Sequence, residues 1–526
     1  IVFGDWSSDV CSSDLFLSAT VILFLGALWV WRRIYREGGE QATVQRIGKN
    51  SIAPILLTLF NRAIDFAFAA LMLRILGPAN AGDYYYAINI FGWFEILTNF
   101  GLDAYLIREV ARHRDQGNRY LFNTTAVRLG LALVGLPLLA GFIALRQNVI
   151  AEPASPQTIL SILLLYAGLV PGSLSKGLTS IFYAYEKAEY PAAISTFSTL
   201  LKVTLGTATL LAGWGIIGLA GASILINLAT FGVLGVLALR LFFKPKWKPE
   251  RALCGEMVGE SWPLMLNHLL ASLFFKVDVV LMEAIKGNIV VGLYSTGYKF
   301  LDALNVIPSM FTFAVFPVIS RQAKEDPEGF LRVYRLGVKL LVTLALPAAV
   351  IATLAGEEMV LVLGGEQYLP DSMIALQLMV WSMPIGWINS LTNYVLVALD
   401  QQRYLTRAFI IGFTFNLIAN LIFMPRYSYQ ASAIIHTFSE LALFIPFAIG
   451  LHRQLGRLNW WSIVGKPLLA AAAMGGLALL LLPLGRGWAL LAAIVIYPLA
   501  LWKMKLLAEN EQEMLAPLLR RGPQGS

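Results

Sequence analysis

The sequence predicts an all-α polytopic membrane protein. It is expected to contain two six-helix lobes related by a pseudo-twofold axis along the membrane normal, two C-terminal spans and one N-terminal leader span. Three observations predict this fold: an apolar composition, connections that alternate between base-rich and base-poor, and an internal sequence repeat.

Composition excludes a soluble protein, because 57% of the 526 residues are apolar and only 14% are charged. An average soluble domain carries about 25% charged residues. The net charge of +8 therefore indicates the orientation of loops and not a nucleic-acid partner. No metal or other cofactor is expected, since the cysteines and histidines show no ligand spacing; they are Cys11, Cys254, His113, His268, His436 and His452.

The segment Asp5–Leu15 reads DWSSDVCSSDL. It looks like a translated sequencing adapter fused to a truncated gene, and it has no signal-peptide pattern. We expect residues 1–15 to be an artefact that is unstructured and dispensable.

Apolar runs of about 20 residues predict membrane spans. A short leader is expected at Phe16–Trp31. Fourteen further spans are predicted at 51–76, 83–104, 121–145, 158–184, 190–213, 216–239, 260–285, 292–320, 336–356, 372–398, 404–424, 429–451, 464–484 and 488–502.

Lysine and arginine are concentrated in every second connection, as expected if the number of predicted spans is correct. One set of connections holds 28 basic residues, whereas the other holds only Arg146, Lys286, Arg426 and Arg486. Because cytoplasmic loops concentrate basic residues, both ends of the fourteen-span core are predicted to be cytoplasmic. The expected location is a prokaryotic cytoplasmic (inner) membrane.

Three pairs of motifs recur in the same order in the two halves. Gly77–Tyr84 matches Gly287–Tyr294, Arg128–Gly130 matches Arg335–Gly337, and Ala184–Tyr190 matches Ala398–Tyr404. Six spans separate the copies, so the repeats are predicted to be parallel. The expected organisation is 16–50, leader and basic segment; 51–239, N-lobe; 240–259, cytoplasmic linker; 260–451, C-lobe; 452–526, spans thirteen and fourteen with the tail.

Basic residues inside spans are costly and usually face a partner or a wet cavity. Arg62 and Lys202 lie near mid-span, and Lys176, Lys276 and Lys299 lie at intermediate depth. These five are predicted to line a shared cavity. Local neutralisation is the alternative, because Arg62 and Asp65 are one helical turn apart. Three bases closer to span ends are expected to reach the headgroups: Arg74, Arg128 and Lys339.

Acidic residues inside spans could bind a coupling ion or balance nearby bases. The candidates are Asp65, Asp278, Asp302 and Glu440, together with Glu95. Asp65 and Asp278 precede the repeated glycine motifs by similar distances, so we expect them on equivalent faces of the two lobes.

Enzymatic activity is not expected. The Gly213–Gly218 motif spells GxGxxG, but it falls between two spans and not between a strand and a helix. A membrane glycan polymerase is the enzymatic alternative, and such chemistry usually needs charged groups in a sizeable outer loop or domain. The outer loops of this chain are short.

Several motifs resemble one family of transporters. Ala69–Pro78 followed by Gly82-Asp83-Tyr84 resembles the opening of the polysaccharide transport proteins, the lipid-linked oligosaccharide flippases of the multidrug/oligosaccharidyl-lipid/polysaccharide exporter superfamily. Phe100–Leu102 leading to Arg108–Arg112 resembles the end of their second span and its basic loop, and Asp278 before Gly287–Tyr294 resembles the seventh-span counterpart.

The resemblance covers residues 50–505 and implies alternating access across a central cavity. The implied substrate is a polyprenyl-pyrophosphate-linked oligosaccharide, whose pyrophosphate the five bases would bind while its tail stays in membrane lipid. Association with glycosyltransferases or a polymerase would follow. Lipid II flippases and multidrug/cation antiporters of the same superfamily are the alternatives.

Overall fold

The computed structural model describes residues 43–149, 153–242, 248–456, 458–507 and 511. The suspected artefact and the predicted leader span lie outside the described residues. Regular structure in the described residues consists of sixteen α-helices and four short 3-10 turns.

The first seven helices follow the predicted spans one to seven, with one additional short helix. They are α1 (Thr43–Asn99), α2 (Leu102–Arg112), α3 (Gly117–Val149), α4 (Pro156–Ala184), α5 (Glu189–Leu211), α6 (Gly215–Leu241) and α7 (Arg251–Lys286). The remaining nine are α8 (Asn288–Leu304), α9 (Val306–Glu325), α10 (Pro327–Leu354), α11 (Gly356–Leu363), α12 (Asp371–Met379), α13 (Met383–Ala398), α14 (Gln402–Leu455), α15 (Trp460–Leu481) and α16 (Arg486–Lys503).

Every predicted core span corresponds to helical structure, and 11 helices in the described part of the chain are long and apolar enough to cross a membrane. Several boundaries were wrong; α7, for example, begins at Arg251 and not at 260. The span predicted at 83–104 ends at Asn99, because Phe100 and Gly101 both adopt positive φ. The span at 292–320 is broken at Asn305. The span at 336–356 begins earlier, where the Asp326 carboxylate accepts a hydrogen bond from the Gly329 amide at 2.9 Å.

The first repeated motif has the same backbone conformation in both halves. Gly77 breaks α1 with φ 68° and ψ 172°, and Gly287 separates α7 from α8 with φ 81° and ψ 175°. Side chains other than glycine rarely adopt these angles. The glycines of this motif therefore mark matching reversals at the ends of the first and seventh spans.

The third repeated motif ends its helix in the same way in both halves. Glu186 and Asp400 have φ 60° and 57°, positive values that are uncommon outside glycine. The amide of Lys187 donates to the Phe182 carbonyl, and that of Gln401 donates to the Leu396 carbonyl. The sequence repeat is thus confirmed as a repeat of backbone geometry at these two connections.

Contacts divide the chain into two units. Of the described residues, those within 43–72, 94–144 and 155–265 form the first unit, and those within 73–93, 145–154 and 266–511 form the second. The second unit therefore contains the segment after the break at Gly77 and the α3–α4 connection. The lobe limits expected from the repeat, 51–239 and 260–451, stay a prediction.

In the first unit, the short amphipathic α2 packs with α3, α4, α6 and the start of α7 around Leu106, Val110, Phe182 and Met257. Ion pairs hold the linker to this bundle. Arg119 Nη2 lies 2.6 Å from Glu250 Oε2, and this hydrogen-bonded guanidinium lowers the pKa of the Glu250 carboxyl.

In the second unit, the two copies of the first repeated motif contact each other. A Cβ at Gly82 would lie 1.8 Å from the Asn288 carbonyl oxygen, and a Cβ at Gly292 would lie 1.9 Å from the Pro78 oxygen. In the repeat, Gly82 is equivalent to Gly292 and Pro78 is equivalent to Asn288, so the two contacts are equivalent to each other. This contact is thus reciprocal, as a local twofold requires, and only glycine permits so close an approach of the backbones.

Candidate functional site

In the first unit, α1 packs on α5 along the segment that carries Arg62 and Asp65. Asn61 Nδ2 donates to Ser195 Oγ at 3.4 Å. About two turns further along α1, the ring of Phe68 lies against Gly206, where a Cβ would be 2.5 Å from the ring. The absence of a side chain at Gly206 lets the helices approach each other, which brings the charged residues of the two helices together.

Lys202 forms an ion pair with Asp65 between these two helices. The pair is not sealed from its surroundings, since the lysine side chain is 42% exposed and the aspartate side chain 35%. A half-exposed pair can exchange partners at lower cost than a buried one, because less desolvation has to be reversed.

Arg62 lies one turn before Asp65 and is exposed. Among the residues that the structure describes, it has no carboxylate within ion-pair distance. The alternative in which Arg62 neutralises Asp65 was wrong, because the Asp65 carboxylate is bound by Lys202 from another helix. Helix packing, which sequence spacing does not reveal, selected the partner.

A second ion pair in this unit joins Lys176 to Glu95, with Nζ and Oε1 2.9 Å apart. Next to it, Arg128 donates to Asp103 Oδ1 at 2.6 Å and to the Ser173 carbonyl at 2.5 Å. Arg128 is only 1% exposed. The expectation that Arg128 reaches the headgroups was therefore wrong, because its guanidinium bridges α2 and α4 inside the unit.

The other two bases expected near span ends also bind within the chain. Lys339 is largely buried and lies 2.5 Å from Glu511, so the headgroup expectation was wrong for this residue as well. Arg74 is exposed and donates to the carbonyls of Leu361 and Val362 at 3.1 and 2.9 Å. It satisfies acceptors at the C-terminal end of α11.

In the second unit, Lys276 faces both an aromatic ring and a carboxylate. Its Nζ lies 3.6 Å from the centroid of Tyr298 and 3.7 Å from Asp302 Oδ1. His436 packs edge-on against the same tyrosine at 5.3 Å. Lys299 lies over the ring of Tyr85 at 4.9 Å. Both lysines are thus held by cation–π contacts.

Asp278 and Glu440 are buried and act as hydrogen-bond acceptors. Asp278 accepts from the Tyr294 hydroxyl at 2.5 Å and from the Val279 amide at 2.9 Å. Glu440 accepts from Asn389 Nδ2 at 2.7 Å. Asp278 is thus hydrogen-bonded and almost fully buried, whereas Asp65 is ion-paired and partly exposed. The role of either acid as a coupling-ion ligand stays a prediction.

Sequence reasoning missed a buried ion pair in the second unit. Arg146 was assigned to an outer connection, but its guanidinium donates to both oxygens of Glu283 at 2.9 and 2.7 Å. Their side chains are 7% and 5% exposed. The available signal was that Arg146 is one of only four bases on a side otherwise depleted of them.

The described residues contain no group of three histidine, cysteine, aspartate or glutamate side chains that could hold a metal ion. What they do contain in the first unit is an exposed arginine beside a partly exposed lysine–aspartate pair. Such an arrangement suits the reversible binding of an anion, since guanidinium and ammonium groups both donate to phosphate oxygens.

The comparisons with known proteins identify the family. Residues 47–322 match the family described as polysaccharide biosynthesis protein, which is more than half of the chain, and residues 263–422 match the family described as MatE. The chain belongs to the polysaccharide biosynthesis protein family. No curated protein sequence matches it.

Solved structures establish the fold. The lipid II flippase MurJ in an inward closed conformation has a TM-score of 0.68 at 13% identity, covering 89% of this chain and 100% of that one. An inward-facing multidrug resistance MATE transporter of the MOP superfamily scores 0.63 at 15% identity, covering 75% and 94%. A MOP superfamily transporter from Pyrococcus furiosus, whose title reports a binding pocket of reverse polarity, scores 0.57 at 14%, covering 78% and 97%.

Family and fold agree with the predicted all-α polytopic architecture. This polysaccharide biosynthesis family member is a multi-pass membrane protein that shares the fold of the lipid II flippase MurJ and of MATE transporters. The GxGxxG motif forms a turn between α5 and α6, where Gly213 and Gly215 have positive φ.

Proposed function

We propose that this protein is a flippase that moves polyprenyl-pyrophosphate-linked oligosaccharides across the cytoplasmic membrane by alternating access, for the synthesis of cell-surface polysaccharide. The observation that carries the proposal is the exposed Arg62 beside the Lys202–Asp65 pair on α1 and α5. The family description supports the same substrate class.

The physical task is to carry a charged headgroup through a layer of hydrocarbon. A pyrophosphate cannot cross unaided, because moving an ion into an apolar medium is very costly. An arginine on a membrane-spanning helix compensates that charge with hydrogen bonds of the charge-assisted kind. The polyprenyl tail needs no such help and can remain in lipid throughout the transfer.

Arg62 and Lys202 have different parts in this proposal. Arg62 is the first contact of the pyrophosphate, since it has no carboxylate partner among the described residues. Lys202 is the second contact, and it becomes available when the pyrophosphate competes with Asp65 for its ammonium group. Asp65 thereby keeps the lysine charge compensated while the transporter is empty. Lys176, Lys276 and Lys299 stay predicted members of the same cavity.

A cation antiporter is less well supported by these contacts. The carboxylates of Asp65, Glu95 and Asp302 are already engaged by lysines, so a cationic compound would have to displace each lysine. Lipid II is the second candidate substrate, because MurJ, a lipid II flippase, matches the fold over its whole length.

The test is the translocation of a labelled lipid-linked oligosaccharide in proteoliposomes. Arg62→Ala removes a contact worth about 1.5–3 kcal/mol, which lowers substrate affinity by roughly ten- to a hundredfold. Arg62→Lys retains part of that affinity, since phosphate accepts a point charge. Arg403→Ala, which removes an exposed arginine from the start of α14, is the matched control and leaves translocation unchanged.

Variants of the Lys202–Asp65 ion pair separate an effect on folding from an effect on transport. Lys202→Ala alone strands the Asp65 carboxylate and lowers the folded yield, whereas Lys202→Ala with Asp65→Ala restores the yield but not full translocation. Normal translocation by Arg62→Ala protein of normal yield would contradict the proposed contact. Supplying lipid II in the same vesicles separates the two candidate substrates.

A further inference from the structure

Helix α14 is a hairpin and not one continuous span. The chain reverses at Ser428, whose φ is 54° and ψ −144°. Across the reversal, Ser432 Oγ donates to Asn420 Oδ1 at 2.8 Å, and further along, the Tyr404 hydroxyl donates to the Pro446 carbonyl at 2.6 Å. The halves 404–427 and 429–451 therefore run side by side in opposite directions.

An apolar groove of about 460 Å³ lies between the two halves of this hairpin. The small side chains of Ala419 and Ala431 form the bottom of the groove. Its walls consist of Phe415, Phe423, Ile434 and Phe438. All four wall residues are exposed at the surface of the protein. In a membrane, a groove of this composition is filled by hydrocarbon, because its walls offer water and polar groups few hydrogen-bond partners.

The length of the groove matches one leaflet. From Phe415 to Tyr427 the helix rises about 18 Å at 1.5 Å per residue, whereas half of a hydrocarbon core is about 15 Å. Because Tyr427 lies next to the reversal at the end of the spans, the groove begins at one membrane surface and ends near the midplane. This is the depth of a single acyl chain.

Two basic residues lie at the mouth of the groove, and the nearby Asp371 carboxylate is occupied by a hydrogen bond of 2.7 Å from the Tyr429 hydroxyl. Arg426 is exposed there, 5.5 Å from the ring centroid of Tyr427, and Lys286 Nζ donates to the Pro425 carbonyl at 2.7 Å. Arg426 has no carboxylate partner among the described residues. These two are half of the four bases that the sequence places on the outer side, so charge at the mouth is not a general property of that surface.

We propose that this groove binds a phospholipid with an anionic headgroup from the outer leaflet. One acyl chain lies over Ala419 and Ala431, and the phosphate region meets Arg426 and Lys286. A polyprenyl chain is a poorer match, because it is much longer than one leaflet. This site is separate from the residues proposed to bind the transported headgroup and does not depend on their role.

The experiment titrates the full chain in mild detergent with phosphatidylglycerol or phosphatidylcholine and counts bound lipids by native mass spectrometry. We expect wild-type protein to retain phosphatidylglycerol preferentially. Arg426→Gln should reduce that preference by about fivefold, the effect of one base near an anionic headgroup. Ala431→Leu should fill the groove and remove the bound lipid.

Two controls match these variants. Arg403→Gln removes an exposed arginine at the other end of α14, and Ala472→Leu enlarges an exposed alanine on α15; both should retain the lipid. If Ala431→Leu protein does not fold, Ala419→Leu on the facing half makes the same test. Equal retention of the two lipids by wild-type protein, undiminished retention by Ala431→Leu, or displacement of the lipid by polyprenyl phosphate would each overturn the proposal.

Discussion

Charged side chains within the spans are compensated one by one. An isolated base near the bilayer centre costs about 2.5–3.5 kcal/mol on insertion scales. The chain meets this cost with the pairs Lys202–Asp65, Lys176–Glu95 and Lys276–Asp302. Of the five bases that the sequence predicts for one cavity, three are ion-paired in the structure and Lys299 lies over the ring of Tyr85. Arg62 is exposed and has no ion-pair partner among the residues that the structure describes.

The buried Arg146–Glu283 pair gives a prediction at the same scale. Arg146→Met should destabilise the protein by about 3–5 kcal/mol, because it leaves the Glu283 carboxylate buried without a partner. Arg146→Met combined with Glu283→Leu should recover most of this loss. The measurement is the thermal unfolding of detergent-purified protein.

The exposed Arg486–Glu357 pair is the control for this experiment. Arg486→Met should cost no more than about 1 kcal/mol, since solvent-exposed ion pairs contribute little. If Arg146→Met proves as mild as Arg486→Met, then the buried pair does not hold the second unit together.

At the scale of elements, the connections carry the symmetry of the fold. The reversals at Gly77 and Gly287 share their backbone angles, and the helix ends at Glu186 and Asp400 share a left-handed residue and the hydrogen bonds around it. The backbone conformation shows the repeat more clearly than the residue types do, because Glu186 and Asp400 differ in type but have the same conformation. The duplicated halves preserve geometry where the chain must turn.

The left-handed residue at the end of α13 gives a prediction. Asp400→Val should lower stability by about 1–2 kcal/mol, since a β-branched residue is strained at φ 57°. Asp400→Gly should be neutral or stabilising at this position. Gln401→Val is the matched control, because Gln401 has φ −94°. Comparable melting temperatures for Asp400→Val and Gln401→Val would show that this helix end is not constrained.

For the whole molecule, the orientation in the membrane stays a prediction from the 28 to 4 distribution of basic residues. Orientation determines which end of each helix meets the cytoplasmic substrate, so the proposed direction of transport depends on it.

Cysteine labelling in intact cells tests the orientation. In a background with Cys254→Ser and without residues 1–15, Glu366→Cys should react with a membrane-impermeant maleimide added outside. Arg321→Cys should react only after the cells are permeabilised, because its loop is among the base-rich connections. Both positions are exposed. The opposite pattern would reverse the topology.

The fold class, the helical spans and the repeated motifs could be predicted from the amino-acid sequence. These follow from local properties: about 20 apolar residues must be helical in lipid, and glycine is strongly favoured at backbone angles such as those of Gly77, φ 68° and ψ 172°. The breaks at Asn99 and Asn305 were not predicted, because each lies inside a long apolar run, although Gly101 and Pro308 stand close to them.

The pairing of charged side chains could not be predicted from the sequence, because it depends on how distant helices pack. Asp65 lies one turn from Arg62 but forms its ion pair with Lys202 on α5. Arg146, which was predicted in an outer connection, lies in α3 and forms an ion pair with Glu283. Arg128 likewise turns inward to Asp103. A charged side chain in a membrane pairs with an opposite charge on a neighbouring helix. Which helices are neighbours depends on the packing of the whole chain.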